Sequence, residues 1–225
     1  MNKEFINPNR FEKKWLFKNT FYPEVLLSLY RSKFFFRQQH TPRFINSIYF
    51  DTNNLDCIND NLDGTNIRKK FRVRWYGNNK SLNNPNLEIK YKKNFESYKK
   101  IYLMEKFKNL DFTDVNNIKL LSKYINNNIL LNQNLKPINL IQYKRLYLIS
   151  SNNLIRATLD YDIKSKKIIN FLNPFFSNFR DVILELKYET NLDNYVRTNL
   201  NQMNTRYSKS SKYINYTLFP SNNFS

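Results

Sequence analysis

Four short rows of this chain place charged side chains at every second position. Lys70, Arg72 and Arg74 share one parity of Lys70-Phe71-Arg72-Val73-Arg74, and Glu88-Ile89-Lys90 and Glu185-Leu186-Lys187 repeat the spacing with a carboxylate first. Arg10, Glu12 and Lys14 form the fourth row. An Arg guanidinium matches phosphate oxygens two at a time, and a Lys ammonium supplies a compact point charge. Carboxylates at the same spacing relieve repulsion among such cations, and some can bind Mg2+ or Mn2+ through oxygen. The chemistry these residue types suit is the gripping of a multiply charged anion beside a divalent metal.

Other chemistries are excluded by what the chain lacks. Cys57 is the only cysteine and His40 the only histidine, which removes internal disulfides, Cys-based metal clusters, His-rich zinc sites and Ser–His–Asp or Cys–His catalysis. Gly64 and Gly77 are the only glycines, so neither a P-loop nor a dinucleotide fingerprint exists. Phosphate chemistry here has to use side-chain cations instead of a glycine-lined backbone cradle.

The elements that position these rows are mostly strands. Period-two patterning predicts strands over 10–17, 44–50, 70–76, 86–92, 98–105, 140–150, 154–161 and 181–188. Helical spacing marks 23–31, 54–62, 114–125 behind a Thr113 cap, and 192–203. Trp15, Trp75 and Cys57 read as packing groups, and Phe34-Phe35-Phe36 ends the first helix or opens a strand. The expected fold is mainly β (α+β), a closed antiparallel eight-stranded barrel with peripheral helices, in one domain over 1–216 with a disordered tail at 217–225.

Lys and Arg total 37 against 18 Asp and Glu, a net charge of +19. A composition rich in Asn, Lys and Ile raises the charge by itself, so the placement of the charges has to decide. The opposite parities carry Phe71, Val73, Trp75, Leu87, Ile89, Leu184 and Leu186. An eight-stranded barrel has an interior wide enough for side chains or one narrow ligand. With the charged faces inward, Lys and Arg would repel one another and be costly to desolvate until a polyphosphate or triphosphate neutralised them.

Eight segments in order resemble the VTC domain, the polyphosphate-polymerase branch of the triphosphate tunnel (CYTH-like) superfamily. They are Arg10-Phe11-Glu12-Lys13-Lys14-Trp15, Ser47-Ile48-Tyr49-Phe50-Asp51-Thr52, Lys70 to Tyr76, Leu87-Glu88-Ile89-Lys90, Tyr143-Lys144-Arg145, Arg156-Ala157-Thr158-Leu159-Asp160, Leu184 to Tyr188, and Lys209-Ser210-Ser211-Lys212-Tyr213. The resemblance implies an antiparallel tunnel that uses ATP and Mn2+ or Mg2+. It implies phosphate contacts from Arg72, Arg74, Lys90, Tyr143, Arg145, Lys187, Lys209, Ser211 and Lys212. Lys99 matches a further contact, with Lys100 the competing choice of register. Glu185 would be the main metal ligand, helped by Glu12 or Glu88, and Lys14 a catalytic cation near the reacting phosphate.

The implied activity is transfer of the γ-phosphate of ATP to a growing inorganic polyphosphate chain. The alternatives are a triphosphatase of the same superfamily, acting on inorganic triphosphate, a nucleotide or an RNA 5′ end, and a non-catalytic polyphosphate-binding subunit. No nucleic-acid partner is expected, since the charged parity faces inward and no exposed aromatic-basic motif appears. The polar start Met1-Asn2-Lys3-Glu4 and the absence of an apolar run of membrane length suggest a cytoplasmic protein, and the resemblance adds a separate membrane protein as a partner.

Overall fold

The computed structural model describes residues 3–6, 10–77, 81–93, 96–129, 134–168, 175–200 and 211–218. Its strands are β1 (Lys3–Ile6), β2 (Arg10–Phe17), β3 (Arg37–Asp51), β4 (Ile67–Tyr76), β5 (Asn86–Lys93), β6 (Glu96–Leu103), β7 (Lys136–Ile149), β8 (Arg156–Lys167), β9 (Ser177–Phe179) and β10 (Val182–Glu189). The helices are α1 (Tyr22–Tyr30), α2 (Asp56–Leu62), α3 (Val115–Asn128), α4 (Asp193–Leu200) and α5 (Lys212–Leu218). All strands join one antiparallel sheet in the order β1-β6-β5-β4-β3-β7-β8-β10-β2, with β9 pairing β8 beside β10.

The expected closed eight-stranded barrel is corrected by this order. Among the described residues the sheet is open, with β1 and β2 as its two edges. β1 takes the outer edge of β6 from Lys3↔Ile101 to Ile6↔Tyr98, occupying main-chain groups that closure onto β2 would need. The sheet is nonetheless strongly curled. Only residues 7–9 separate its two edge strands in sequence, and so short a link spans at most about 14 Å. Glu12 of β2 also lies 3.7 Å from Lys90 of β5, so side-chain ion pairs bridge the seam where main-chain hydrogen bonds do not.

The strand patterning is satisfied by covering both faces. Phe71, Val73 and Trp75 of β4 and Leu87 and Ile89 of β5 pack on the convex side with Cys57 and Ile58 of α2 and Ile118, Leu121 and Ile125 of α3. Trp15 of β2 and Leu184 and Leu186 of β10 do the same with Val25 and Leu29 of α1 and Val196 and Leu200 of α4. Each such side chain contributes about 2 kcal/mol on leaving water, so two apolar layers hold the sheet's shape. Phe34 and Phe36 join the second layer from the turn after α1, while Phe35, at φ 48°, points to solvent. α3 is capped by Asp114, which accepts from the Asn116 N–H at 2.8 Å. The expected cap, Thr113, instead donates its hydroxyl to Asp111 at 2.6 Å.

On the concave side, α5 closes one end. Its Tyr213 ring stacks on Tyr49 of β3 at 4.8 Å, and the Tyr216 carbonyl accepts from Asn139 of β7 at 2.9 Å and Ser165 of β8 at 2.8 Å. The helix runs to Leu218 with Thr217 buried, beyond the expected boundary at 216, and 219–225 lie outside the described residues. A bulge in β8 makes this docking compatible with the site. Asp160 and Ser165 are five apart and would face opposite sides of a regular strand. Four residues of β8, from Lys164 to Tyr161, oppose three of β7, from Gln142 to Lys144, and Asp162 adopts φ 51°. The extra residue turns both side chains inward.

Asp51, wholly buried at the end of β3, ties three elements together. Its carboxylate accepts from the Cys57 N–H at 2.9 Å and the Ile58 N–H at 3.2 Å in the first turn of α2, and from the Tyr213 hydroxyl of α5 at 2.7 Å. Replacing Asp51 by Ala leaves these donors unsatisfied. The expected loss is about 3 kcal/mol of stability, read as a lower denaturant midpoint, and a change under about 0.5 kcal/mol would contradict this role.

Candidate functional site

The concave face holds a cavity of about 600 Å3. β2 contributes Glu12 and Lys14, β4 Lys70, Arg72 and Arg74, β5 Glu88 and Lys90, and β6 Lys99. β7 contributes Tyr143 and Arg145, β10 Glu185 and Lys187, and the segment entering α5 adds Ser211 and Lys212. Thus every sequence-predicted site residue within the described part of the chain lines one space, and Lys209 lies outside the described residues. Period two explains the arrangement, because the inward parity of each strand is charged while the outward parity feeds the apolar layers.

The side chains sort into three clusters. In the first, Lys14 Nζ lies 2.6 Å from Glu12 Oε1 and 3.3 Å from Glu185 Oε2, and Lys187 Nζ is 2.9 Å from Glu185 Oε1 and 3.6 Å from Glu12 Oε2. In the second, Glu88 accepts from Arg72 Nε at 2.6 Å and from Lys99 Nζ at 2.8 Å, with Arg74 Nη1 3.7 Å away. Arg74 also donates to the Tyr143 hydroxyl at 3.1 Å. In the third, Arg145 holds both oxygens of Asp160, at 2.5 and 2.8 Å, and Lys212 pairs with the same carboxylate. Lys212 sits 4.8 Å over the Tyr143 ring.

Strand pairing turns Lys99, and not Lys100, toward the cavity. Lys99 lies opposite Lys90 and reaches Glu88, whereas Lys100 pairs with Ile89, whose parity faces the outer core. Asp160, Tyr49 and Lys70 belong to the site without having been singled out for it. Asp160 ends a recognised segment, and Lys70 shares the parity of Arg72 and Arg74; both facts were visible in the pattern. Tyr49, 3.4 Å from Arg72 Nη1, likewise lies within a recognised segment, Ser47 to Thr52. His40, exposed on β3 against the Tyr147 ring, has no part in the cavity.

The electrostatics keep the acids ionised. Burial and Glu185 push the Glu12 carboxyl up, but Lys14, Lys90 and Lys187 outweigh them and hold it at about 2. Burial likewise opposes ionisation of Glu185, and Lys14, Lys187 and Arg145 pull it well below the usual carboxylate range. For Glu88 the same contest is won by Arg72, Arg74 and Lys99. The contribution of Glu12 to stability is therefore present above pH 4.5 and is lost as pH falls toward 2. Among the described residues nine basic side chains line the cavity, against Glu12, Glu88, Glu185 and the adjoining Asp160. The cations outnumber the acids by five, so the space suits a polyanion.

Of the three carboxylates considered for a metal, two come together. Glu12 and Glu185 contact the same two lysines and offer hard, ionised oxygens, the donor type that Mg2+ or Mn2+ would take. Glu88 stands apart, held by Arg72 and Lys99, and no cluster of three acidic, His or Cys ligands is present among the described residues. No described helix is long and apolar enough to cross a membrane.

Asp160 is the buried counter-charge of the third cluster. Asp160→Asn leaves Arg145 and Lys212 without it and is expected to lower stability by about 3–5 kcal/mol in denaturant unfolding, with tripolyphosphate restoring part of the loss. An unchanged midpoint would contradict the assignment.

Among curated proteins none matches the chain. Several solved structures are similar to it in outline. A protein from Pyrococcus horikoshii OT3 is 12% identical with a TM-score of 0.48, the match covering 92% of this chain and 95% of that one. A Hippeastrum protein, described as having a dominant triphosphatase activity, is 14% identical with a TM-score of 0.46, covering 92% and 94%. The family model of the VTC domain matches residues 9–219, nearly the whole of the chain in which the cavity is built, and the chain belongs to that family.

Proposed function

We propose that this protein is a polyphosphate polymerase that transfers the γ-phosphate of ATP to a growing inorganic polyphosphate chain. The observation that carries the reading is the convergence of cations from six strands and the α5 segment on one cavity, in excess of its acids. Membership of the VTC family supports it. Phosphoryl transfer asks a protein mainly for positioning and for neutralisation of charge on the moving group. Arg72, Arg74 and Lys99 form one grip, Arg145 and Lys212 a second, and Lys90 and Lys187 line the wall between β5 and β10.

A terminal oxygen of the acceptor phosphate attacks the γ-phosphorus in line, the bond to the β–γ bridging oxygen breaks, and ADP leaves. That oxygen is already ionised near neutral pH, so no general base is required, which agrees with the lack of histidine in the cavity. Lys14, between Glu12 and Glu185, is placed to balance charge on the transferring group. Glu185 and Glu12 would hold Mg2+ or Mn2+, which supplies charge neutralisation at phosphate oxygens. In this reading the protein works in the cytoplasm, where ATP is present, and any membrane attachment comes through a partner protein.

The test is incubation with ATP and Mn2+ followed by gel staining for polyphosphate. Polymer is expected with the wild type, none with Glu185→Ala, and a rate lowered about 10²–10³-fold by Arg72→Ala. Phosphate release from tripolyphosphate without polymer would reassign the protein to hydrolysis. Tight polyphosphate binding with no turnover under either metal would make it a binding subunit.

A further inference from the structure

Lys70 stands out among the basic side chains of the cavity. Each of the others lies within 3.7 Å of a carboxylate oxygen, whereas Lys70, among the described residues, forms no ion pair. Its Nζ donates to the Ser211 hydroxyl at 3.0 Å. The charged groups that act on it most strongly all have its own sign: Lys14 of β2, Lys90 directly across on β5, and Arg68 and Arg72 of β4. Glu12 and Glu185 are held by Lys14, Lys90 and Lys187 and do not reach it. Burial first, and then these four cations, press its ammonium pKa down to about 7.

We propose that Lys70 is a further phosphate-binding residue of this cavity, one that takes up a proton as the anion enters and then grips it together with Ser211. The inference rests on the reading of the cavity as a polyphosphate site and adds a residue and a proton to it. An anion that reaches the Ser211 hydroxyl is within reach of Lys70, since the two already touch. It brings the negative charge whose absence disfavours the ammonium form. The proton comes from solvent or buffer, adds to the Nζ lone pair and leaves an ammonium paired with phosphate oxygen. No other bond changes. The empty cavity is thus spared one of its repelling charges, and the loaded cavity gains it.

Linkage fixes the sign. Without ligand, folding above pH 7 requires Lys70 to give up a proton that the unfolded chain keeps up to about 10.5, so the stability of the empty protein rises with pH across that window through this group. Ligand binding reverses the proton movement, so affinity falls as pH rises above 7.

The test is calorimetric titration with long-chain polyphosphate at pH 8, in two buffers of different ionisation enthalpy. Internal phosphates of such a chain are fully ionised there, so any proton taken up belongs to the protein. The expected uptake is close to one proton per site in the wild type and close to none in Lys70→Arg, which keeps a permanent cation and keeps binding. Wild-type affinity should fall about tenfold between pH 7 and 8.5, and that of Lys70→Arg should stay nearly flat. Lys70→Met, which cannot be charged, should bind more weakly than wild type at pH 7 and also take up no proton. Binding by the wild type without proton uptake, or uptake unchanged in both variants, would overturn the role of Lys70 alone. No polyphosphate binding at all would overturn this role and the phosphate reading together.

Discussion

The constraint on which this structure depends is the crowding of like charge in a partly enclosed space. Two unit charges 4 Å apart repel by about 4 kcal/mol at the effective dielectric of a protein surface. Among the described residues, nine basic side chains line one cavity against Glu12, Glu88, Glu185 and the adjoining Asp160. Three clusters, centred on Glu12 with Glu185, on Glu88 and on Asp160, bring that repulsion to a tolerable level without removing it. The remainder has to be offset elsewhere, and the two apolar layers under α1 with α4 and under α2 with α3 are where that happens. Stability is made on the convex face and put under strain on the concave one.

The same division explains the irregular features. The open seam between the edge strands β1 and β2 is bridged by Glu12 of β2 and Lys90 of β5, long charged side chains that leave the sheet open along its hydrogen-bonding edge. The bulge at Asp162 brings Asp160 and Ser165 onto one face, so that one strand both anchors Arg145 and Lys212 and docks α5. Asp51 has no place in the cavity and is structural: it satisfies α2 and Tyr213, which in turn stacks on Tyr49 beside Arg72. A segment that marks the family can therefore act through packing behind the chemistry.

Much of the site was legible because alternation is a local property. Arg72 and Arg74, Glu88 and Lys90, and Glu185 and Lys187 could be assigned to one face from spacing alone, with Phe71, Val73, Leu87 and Leu186 confirming the other. What escaped depends on pairing between distant segments. Tyr98-Lys99-Lys100-Ile101 carries a base on both parities, so only its register against β5 distinguishes Lys99. The open seam, β1 and the short β9 are edge properties with no periodic signature. Helix α5 is seven residues long and its inward packing is set by Asn139 and Ser165 on other strands. The isolation of Lys70 appears only when the partners of its neighbours are known.

The most direct test of the account is a crystal structure of the protein with tripolyphosphate. Phosphate density inside the cavity, within hydrogen-bonding distance of Arg72, Arg145 and Lys187, is the result the account requires. A cavity whose cations remain paired only with Glu88, Asp160, Glu12 and Glu185, with the anion bound on the outer surface, would contradict it.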